Sequence, residues 1–558
     1  MTTPSDSAPA YPVPEAPDRA NHVYVSVGHA QMMTAAMKPL GLSFWQLTTP
    51  RPMAVAGGRL FVDVTALLAA PASRGPYLDV LRRSDQLTAD ALQTVVDRGD
   101  FLPALAETPP LPTGIAPVLP LAADPALVEQ LIAANQASVA ALALTLRGLT
   151  GTALLDAIAA DLPELRRLLT DPQSTQVFMS AMDASRWLND TLAEWLGETN
   201  AADTLTLSVP HNVTAEMGLA LMDVADAVRP HPEVVAFLRD VRDDAFLTDL
   251  PRLPGGLEAR DAIEAFLETY GMRCVGEIDI TRPRWRERPS TLVPMILTNV
   301  DTFTAGAGEG RFAAGRLEAL AKEQDVLQRV RQLPDGDAKA SETKAAIDRL
   351  RTFMGYREYP KYGMVSRYWV YKQALLGEAA RLVAAGVLAD ADDLFFLTFA
   401  EVGEVVRTQR LDAALVAERR RAFARYEALT PPRVLTSEGE ALAGRYARGD
   451  VPPGRLEGMA VSAGVVEGRA RVLQDVGQGR LERGDILVTR FTDPSWTPAF
   501  VTIAGLVTEV GGLMTHGAVV AREYGLPAVV GVTGATTMIR DGQRIRVHGT
   551  DGYVELLP

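Results

Sequence analysis

The spacing of hydrophobic positions divides the chain into a short alternating start, a long helical middle and a second alternating region. "VYVSVGH" (residues 23–29) alternates apolar and polar side chains, and "GGRLFVDVTALLAA" (57–70) indicates a glycine turn, a strand and a helix. From residue 76 to 250, apolar residues recur at helical spacing, as in "LVEQLIAANQASVAALALTLRGL" (127–149). A mainly helical region therefore follows a small β element.

A helical hairpin is predicted next. Apolar stripes opposite charged faces run through residues 311–333 and 344–386, and the turn "PDGD" (334–337) joins them. Pro360 lies inside the second run, and proline removes a helical N–H group and clashes with the preceding turn. We therefore expect a break or kink at Pro360.

Composition and periodicity change near residue 430. The stretch 429–458 is polar and rich in proline and glycine, which favours a linker. Beyond it the period falls to two, and six short strands are predicted: "GRARVL", "DILVTRF", "GLVTEV", "PAVVGV", "QRIRVHG" and "GYVELL". Helical spacing is confined to 521–525 and 497–504, so this part is a compact α/β unit of about 100 residues.

Together these patterns predict a multidomain α+β protein. Residues 1–20, rich in proline, alanine and serine, are expected to form a disordered tail or linker. A large, mainly α-helical domain is expected at 21–431 and a small α/β domain at 456–558. A hinge at 432–455 would join the two.

Composition narrows the classes of function. The chain has 558 residues and a formal net charge of −14, without a long basic run. A nucleic-acid partner is not expected, because lysine and arginine are needed to neutralise phosphates. The one cysteine, Cys274, excludes a disulfide framework or a multi-cysteine metal site. With no signal peptide and no run of about 18 apolar residues, we expect a cytoplasmic protein without membrane contact.

One of the six histidines lies in an unusual setting. In "TEVGGLMTHGAVVARE" (508–523), a predicted strand ends at two glycines, Thr515 is a candidate N-cap and His516 falls in the first helical turn. Free N–H groups and the dipole of that turn favour an anion, so Thr515 and Gly517 are candidates for stabilising a phosphate. A neutral imidazole there can attack phosphorus, which favours a phosphorylated histidine. A capping histidine without chemistry is the alternative.

The residues around His516 resemble a known family. "GGLMTHGAVVAREYGLPAVVG" (511–531) is similar to the mobile phosphohistidine domain of phosphoenolpyruvate-utilising enzymes and dikinases. Upstream, "YVSVGHAQMMTAAMKPLGLSFWQLTTPRPM" (24–53) and "GYREYPKYGMVSRYWVYKQALL" (355–376) resemble rifampin phosphotransferases. This resemblance implies that His516 carries a phosphoryl group on a swivelling domain. It also implies that residues 21–431 bind rifampin, a rifamycin-type macrocycle whose hydroxyl accepts the group.

Arg357 and Lys361 stand four residues apart and could share a helical face before any break at Pro360. From spacing alone they could form a solvated basic face or hold a transferring phosphoryl group. The resemblance favours the second alternative. It implies that both residues face His516 when the swivelling domain docks.

A large macrocycle needs an apolar pocket. The resemblance implies that Gln31 contacts the acceptor, and nearby apolar side chains either line the pocket or pack the core: Val27, Met33, Pro50 and Met53. His29 is either a base for the acceptor proton or a structural histidine. A charged set either braces the domain as a buried ion network or forms part of the pocket wall: Arg273, Glu277, Asp279 and Arg284.

The chain departs from the family pattern in one respect. Family members carry an N-terminal ATP-grasp domain that charges the carrier histidine, whereas only residues 1–20 precede the predicted substrate domain and no phosphate loop is present. We expect ATP and Mg²⁺ to bind a separate ATP-grasp protein that acts in trans. A deleted domain and an inactive, drug-binding relative are the alternatives.

Two rival functions follow from the same residues. The chain could phosphorylate another hydroxyl or enol acceptor, as other dikinase-like carriers do, or it could bind rifampin without catalysis. A lack of rifampin binding would favour the first rival. A histidine that no ATP-grasp partner phosphorylates would favour the second.

Overall fold

The computed structural model describes residues 11–15, 18–31, 33–49, 52–103, 121–446, 451–474, 479, 481–512 and 515–557. Helices and strands are numbered separately in chain order. The first helices are α1 (Val27–Ala30), α2 (Pro39–Thr48), α3 (Thr65–Ala69), α4 (Pro71–Ser84), α5 (Gln86–Asp97), α6 (Pro125–Leu146), α7 (Gly151–Thr170), α8 (Pro172–Leu196), α9 (Ala201–Leu205), α10 (Val213–Val228) and α11 (Pro232–Arg239). They are followed by α12 (Phe246–Asp249), α13 (Gly256–Tyr270), α14 (Val293–Thr302), α15 (Ala307–Arg331), α16 (Gly336–Phe353), α17 (Tyr359–Ala384), α18 (Phe399–Thr408), α19 (Ala413–Glu427), α20 (Thr497–Phe500), α21 (His516–Glu523) and α22 (Ala535–Met538).

The strands form two sheets. Those of the first sheet are β1 (Val23–Ser26), β2 (Ala54–Ala56), β3 (Arg59–Asp63), β4 (Val434–Thr436) and β5 (Ala441–Leu442). Those of the second are β6 (Leu456–Glu457), β7 (Met459–Ser462), β8 (Val465–Val472), β9 (Asp485–Thr489), β10 (Gly505–Thr508), β11 (Ala528–Val530), β12 (Arg544–His548) and β13 (Tyr553–Leu556). The multidomain α+β class predicted from the sequence is confirmed.

The first sheet is antiparallel, in the order β2–β3–β1–β4–β5. Successive side chains enter opposite faces, as the alternation in the sequence predicts. Val23 and Val434 pack into an apolar cluster with residues of α4 and α5. Tyr24 and Leu435 pack on the other face with Tyr11. Both faces of this small sheet are therefore covered.

Two expected boundaries are corrected by this sheet. The predicted hinge at 432–455 begins with β4 and β5, and Val434 pairs with Val25 of β1, so residues 434–442 belong to the first sheet. Within the predicted tail, Tyr11 is buried and its hydroxyl donates to the Ala56 carbonyl at 3.2 Å. Burial of a large aromatic ring gives this segment a fixed place on the sheet.

The helical hairpin forms as predicted. Helices α15 and α16 are joined at the "PDGD" turn, and α16 gives way to a 3₁₀ segment, Met354–Glu358, before α17 begins. Pro360 is in the first turn of α17, where its missing N–H group costs no hydrogen bond. The predicted break is confirmed as a change from α-helix to 3₁₀-helix and back, which separates Arg357 from Lys361.

The second sheet has the order β6–β13–β12–β8–β9–β10–β11–β7, with β8 to β11 parallel. The six strands predicted from the alternation correspond to β8 through β13 and are confirmed. Helix α21 begins at His516 with Thr515 in the N-cap position, where the N-cap prediction placed it, although helical spacing alone had marked only 521–525. Helix α20 ends at Phe500 and not at 504, and α22 was not predicted.

The smaller unit packs against α10 of the larger one. Trp496 and Phe500 are fully buried and belong to the same apolar cluster as Met217 and Leu221 of α10. At Gly218, an added Cβ would meet side-chain atoms of Thr497 at 3.4 Å and of Tyr524 at 3.5 Å. An alanine Cβ would therefore make ordinary contact with the smaller unit at this position.

Helix α6 departs from the expectation that no segment could cross a membrane. It has 22 residues and one charged side chain, Glu129, and it is the one helix in the described part of the chain that is long and apolar enough for a span. It packs along α17, and its buried residues are Val128, Leu142 and Leu146. The criterion rests on length and composition alone, and 11% of the apolar window of α6 is buried.

Candidate active site

His516 stands at the start of α21, where the chain turns after β10. Thr515 occupies the N-cap position with φ −73° and ψ 157°, but its hydroxyl does not cap the helix. It donates to the Gly512 carbonyl at 2.7 Å, so the expected capping bond to a first-turn N–H group is wrong. At Gly517, an added Cβ would lie 2.2 Å from the Thr492 hydroxyl, so a larger residue would displace that side chain.

The side chain of His516 is 6% exposed. Its Nε2 lies 3.2 Å from the Thr497 hydroxyl, and its Nδ1 lies 4.0 Å from Oε1 of Glu358 on the larger unit. Because 4.0 Å is too long for a hydrogen bond, Glu358 acts on the ring through its charge. Burial lowers the pKa of His516; the charge of Glu358 opposes this, and the charges of Lys361 and Arg357 reinforce it. The ring is therefore neutral at pH 7.

Arg357 and Lys361 approach His516 from the larger unit. They do not share one helical face, because Arg357 belongs to the 3₁₀ segment and Lys361 to the first turn of α17. Nη2 of Arg357 lies 2.5 Å from Oε1 of Glu358, and Nζ of Lys361 lies 3.5 Å from Oε1 of Glu277. Each basic side chain is thus held by a buried carboxylate.

Glu358 was missed in the sequence, although it stands between the two basic residues in "YREYPKYG". Burial alone would raise the pKa of Glu358, but the charges of Arg357 first and then Lys361 hold it well below its ordinary value. It is ionised at pH 7. Thr497, the partner of Nε2, was also missed, since nothing in "DPSWTP" points to a histidine 19 residues away.

The buried ion network considered for the larger unit is present. Arg273 and Glu277 are fully buried, with Nε and Oε2 3.4 Å apart. Arg284 donates to the carbonyls of Glu277 at 2.8 Å and Asp279 at 3.0 Å. Through Glu277 this network reaches Lys361, so it braces the site as well as the domain. Burial raises the pKa of the Cys274 thiol to about 11, which leaves it unreactive.

Both units match known families. The model described as "Rifampicin phosphotransferase fourth domain" matches residues 173–358, and the model described as "PEP-utilising enzyme, mobile domain" matches residues 481–552. Curated relatives named rifampicin phosphotransferase are 64% identical over 548 residues in Streptomyces sviceus and 56% identical over 550 residues in Bacillus subtilis. Each match covers 98% of this chain.

The chain is a homologue of the rifampicin phosphotransferases. It spans 63% of the length of the Streptomyces sviceus relative and 64% of the Bacillus subtilis relative. The smaller unit carries the match to the mobile domain, and His516 lies within it.

Polar contacts between the units accompany the apolar core. The main-chain and side-chain pairs are Gly276 N–H to Asp493 Oδ2 at 2.6 Å, Asn212 Nδ2 to Glu523 Oε1 at 2.8 Å and Arg311 Nη1 to the Val501 carbonyl at 2.9 Å. Burial raises the pKa of Glu523 to about 7, and burial followed by the charge of Glu277 raises the pKa of Asp493. The smaller unit is therefore docked on the larger one, with His516 beside Glu358, which pairs with Arg357.

The residues predicted to line a macrocycle pocket do not enclose one in this pose. Val27, Gln31 and Met33 border a cavity of about 20 Å³, far below the several hundred Å³ of a drug-sized site. Met53 is half-buried beyond α2, with its carbonyl accepting from Gln46 at 3.2 Å, and Pro50 lies outside the described residues. Two larger cavities, of about 570 and 480 Å³, lie between the units.

His29 is a poor candidate for the base. Burial lowers its pKa well below the ordinary value, and the charges of Arg433 and Arg59 lower it further. Its Nδ1 is buried and has no hydrogen-bond partner among the described residues. Across all the residues that the structure describes, no group of three or more His, Cys, Asp or Glu side chains is placed to hold a metal ion.

Proposed function

We propose that this chain relays an ATP-derived phosphoryl group through His516 to a hydroxyl of a rifamycin-type macrocycle, and so inactivates the antibiotic. One observation carries the proposal. A neutral, buried histidine on the unit that matches the PEP-utilising mobile domain faces Arg357 and Lys361 of the unit that matches a rifampicin phosphotransferase domain. The choice of a rifamycin as acceptor is taken from the name of the similar relatives, rifampicin phosphotransferase.

In the first step, Nε2 of His516 would attack a phosphorus of the ATP-derived donor, and the P–O bond between that phosphorus and the departing nucleotide would break as the N–P bond forms. The charge of Glu358 near Nδ1 favours the proton on that nitrogen, and the Thr497 hydroxyl donates to the lone pair of Nε2. The lone pair of Nε2 is thus available to form the N–P bond once Thr497 turns away. Free N–H groups at the start of α21 would then stabilise the phosphate, with Thr515 and Gly517 as the candidate residues.

In the second step, the N–P bond breaks as the acceptor oxygen forms an O–P bond and its hydroxyl proton is released. Arg357 and Lys361 neutralise the charge on the transferring group, which is the main contribution a protein makes to such a reaction. Glu358 and Glu277 hold these two cations in place beforehand. The imidazole returns to its neutral form.

The phosphoryl donor and the phosphoryl acceptor would occupy two separate binding sites. ATP and Mg²⁺ would bind an ATP-grasp domain or subunit that is distinct from these two units. We propose that this ATP-grasp protein acts in trans and that the reaction takes place in the cytoplasm. Swivelling of residues 456–558 would connect the two sites. The macrocycle would contact Gln31 and the apolar residues Val27, Met33, Pro50 and Met53, which requires the cavity of about 20 Å³ to open.

A histidine substitution tests the proposal. His516→Ala should abolish rifampin phosphorylation, assayed with ATP, Mg²⁺ and an ATP-grasp module, while leaving rifampin binding by calorimetry unchanged. His548→Gln, which alters another histidine of the same unit, is the matched control and should retain activity. Rifampin binding lost in His516→Ala would contradict the assigned role. A wild-type chain that becomes phosphorylated but does not bind rifampin would support a different hydroxyl or enol acceptor.

A further inference from the structure

Asp493 contacts both units at once. It is 4% exposed and stands in the turn that leads from β9 to α20. Its Oδ1 accepts from the backbone N–H of Ser495 at 3.0 Å and from the Ser495 hydroxyl at 2.5 Å, which caps the 3₁₀ segment Pro494–Trp496. Its Oδ2 accepts from the N–H group of Gly276 on the larger unit at 2.6 Å.

On its own unit, Asp493 fixes the segment that carries Thr497. The capped 3₁₀ turn continues directly into α20, whose first residue is Thr497. The Thr497 hydroxyl lies 3.2 Å from Nε2 of His516. The cap therefore determines where the partner of the reactive nitrogen stands.

On the larger unit, Gly276 adjoins the residue that holds Lys361. Gly276 has φ +72°, a left-handed conformation that favours glycine. The next residue is Glu277, whose carboxylate pairs with Lys361 at 3.5 Å and Arg273 at 3.4 Å. Neither carboxylate oxygen of Glu277 has a hydrogen-bond partner among the described residues. Because no hydrogen bond fixes this carboxylate, the backbone beside Gly276 sets its position, and with it the position of Lys361.

We propose that Asp493 is a positioning residue for the acceptor-facing pose: it docks the smaller unit on the Gly276 N–H group and aligns Thr497 and His516 with Lys361. The inference rests on the proposed function, because it concerns the transfer half-reaction. The contact joins two units and exists only while they are docked in this pose. Charging of His516 at a distant ATP-grasp site does not use it.

Two substitutions separate the cap from the docking contact. In Asp493→Ser, the hydroxyl still caps the turn, as serine does at N-caps, but it is too short to reach Gly276. In Asp493→Asn, the amide has one acceptor oxygen, which cannot serve both the Ser495 donors and the Gly276 N–H group. Asp485→Asn is the matched control, since Asp485 is equally buried and bonds only within the smaller unit, to Arg469 and to the Glu482 N–H group.

The experiment measures the rates of both half-reactions and the hydrogen exchange of the Gly276 amide. With ATP, Mg²⁺ and an ATP-grasp module, the rate of His516 phosphorylation should stay within about twofold of wild type. Single-turnover transfer to rifampin should fall about tenfold to hundredfold, the factor expected for one lost hydrogen bond to a charged group. Hydrogen exchange at Gly276, read from peptides that span residues 271–284, should become faster. Asp485→Asn should leave the ratio of the two rates and the exchange unchanged.

Three results would overturn the inference: unchanged transfer in both Asp493 variants, an equal loss of charging and transfer, or unchanged exchange at Gly276. If the wild-type chain is phosphorylated but never transfers to rifampin, the proposed function fails and the exchange measurement decides alone. Faster exchange in Asp493→Ser then supports the docking role, and an identical rate contradicts it.

Discussion

Glu523→Gln should make the protein more stable at high pH. Glu523 ends α21, and its Oε1 accepts from Asn212 of the larger unit at 2.8 Å. Burial raises its pKa from 4.5 to about 7, while Arg357 and Asn212 oppose the shift and Glu358 adds to it. Below about pH 7, the docked state therefore holds Glu523 mainly in its protonated form. A glutamine keeps the acceptor oxygen for Asn212 and cannot ionise.

The sign and size follow from linkage. A carboxyl group whose pKa is raised contributes its full stability below pH 4.5, and this contribution is lost as the pH rises through about 7. A pKa difference of this size corresponds to about 3 kcal/mol, an upper value because the side chain keeps some solvent contact. Wild type and variant should thus have equal stability near pH 4.5, and the variant should be the more stable by up to about 3 kcal/mol at pH 8.

Denaturant titrations at pH 4.5, 6 and 8 measure this difference. Glu467→Gln is the control, since burial is absent there and hydrogen bonds from Arg544 and Arg546 lower the pKa of Glu467. Its effect should have the opposite sign, a loss of stability at pH 8 that disappears as the pH falls. A Glu523→Gln variant that is less stable than wild type at pH 8, or a difference that does not change with pH, would refute the reasoning.

Three further outcomes are expected. Lys361→Met should reduce the rate of single-turnover transfer to rifampin about 10²- to 10³-fold, as loss of a charge-stabilising group does, and should leave rifampin binding unchanged. A variant that transfers at the wild-type rate would show that Lys361 does not stabilise the transferring group. Thr497→Val should raise the phosphorylation rate of His516 about tenfold, since it deletes the hydrogen bond that occupies the lone pair of Nε2, and an unchanged or lower rate would mean that the hydroxyl does not hold that lone pair back. Glu401→Gln should lower stability at pH 7 by up to about 1 kcal/mol, because hydrogen bonds from Arg419 lower the pKa of Glu401 to about 2; thermal melts should show the loss fading as the pH falls toward 2.

Local pattern was enough to predict much of the fold. The alternation after residue 456 marks six strands of the second sheet, and Pro360 marks the break between α16 and α17. The linker boundary failed because β4 pairs with β1, more than 400 residues earlier, and no local pattern carries that pairing. Tyr11 was assigned to a tail because its segment is rich in proline, yet it packs on the same sheet.

The candidate site shows the same division. His516, Arg357 and Lys361 could be named because each stands in a motif that resembles a family, although their roles stay predictions. Glu358 and Asp493 could not, because their contacts join the two units and depend on docking. Thr515 shows the limit of position alone: it is the N-cap residue, but its hydroxyl turns back to Gly512.

Locating the phosphate is the most direct test of the central claim that His516 carries it. The chain is incubated with ATP, Mg²⁺ and an ATP-grasp module, digested at alkaline pH and mapped by mass spectrometry, before and after addition of rifampin. The account predicts an acid-labile phosphate on the His516 ring that disappears as phosphorylated rifampin forms. Phosphate on another residue, or phosphorylated rifampin formed at the wild-type rate by His516→Ala, would contradict it.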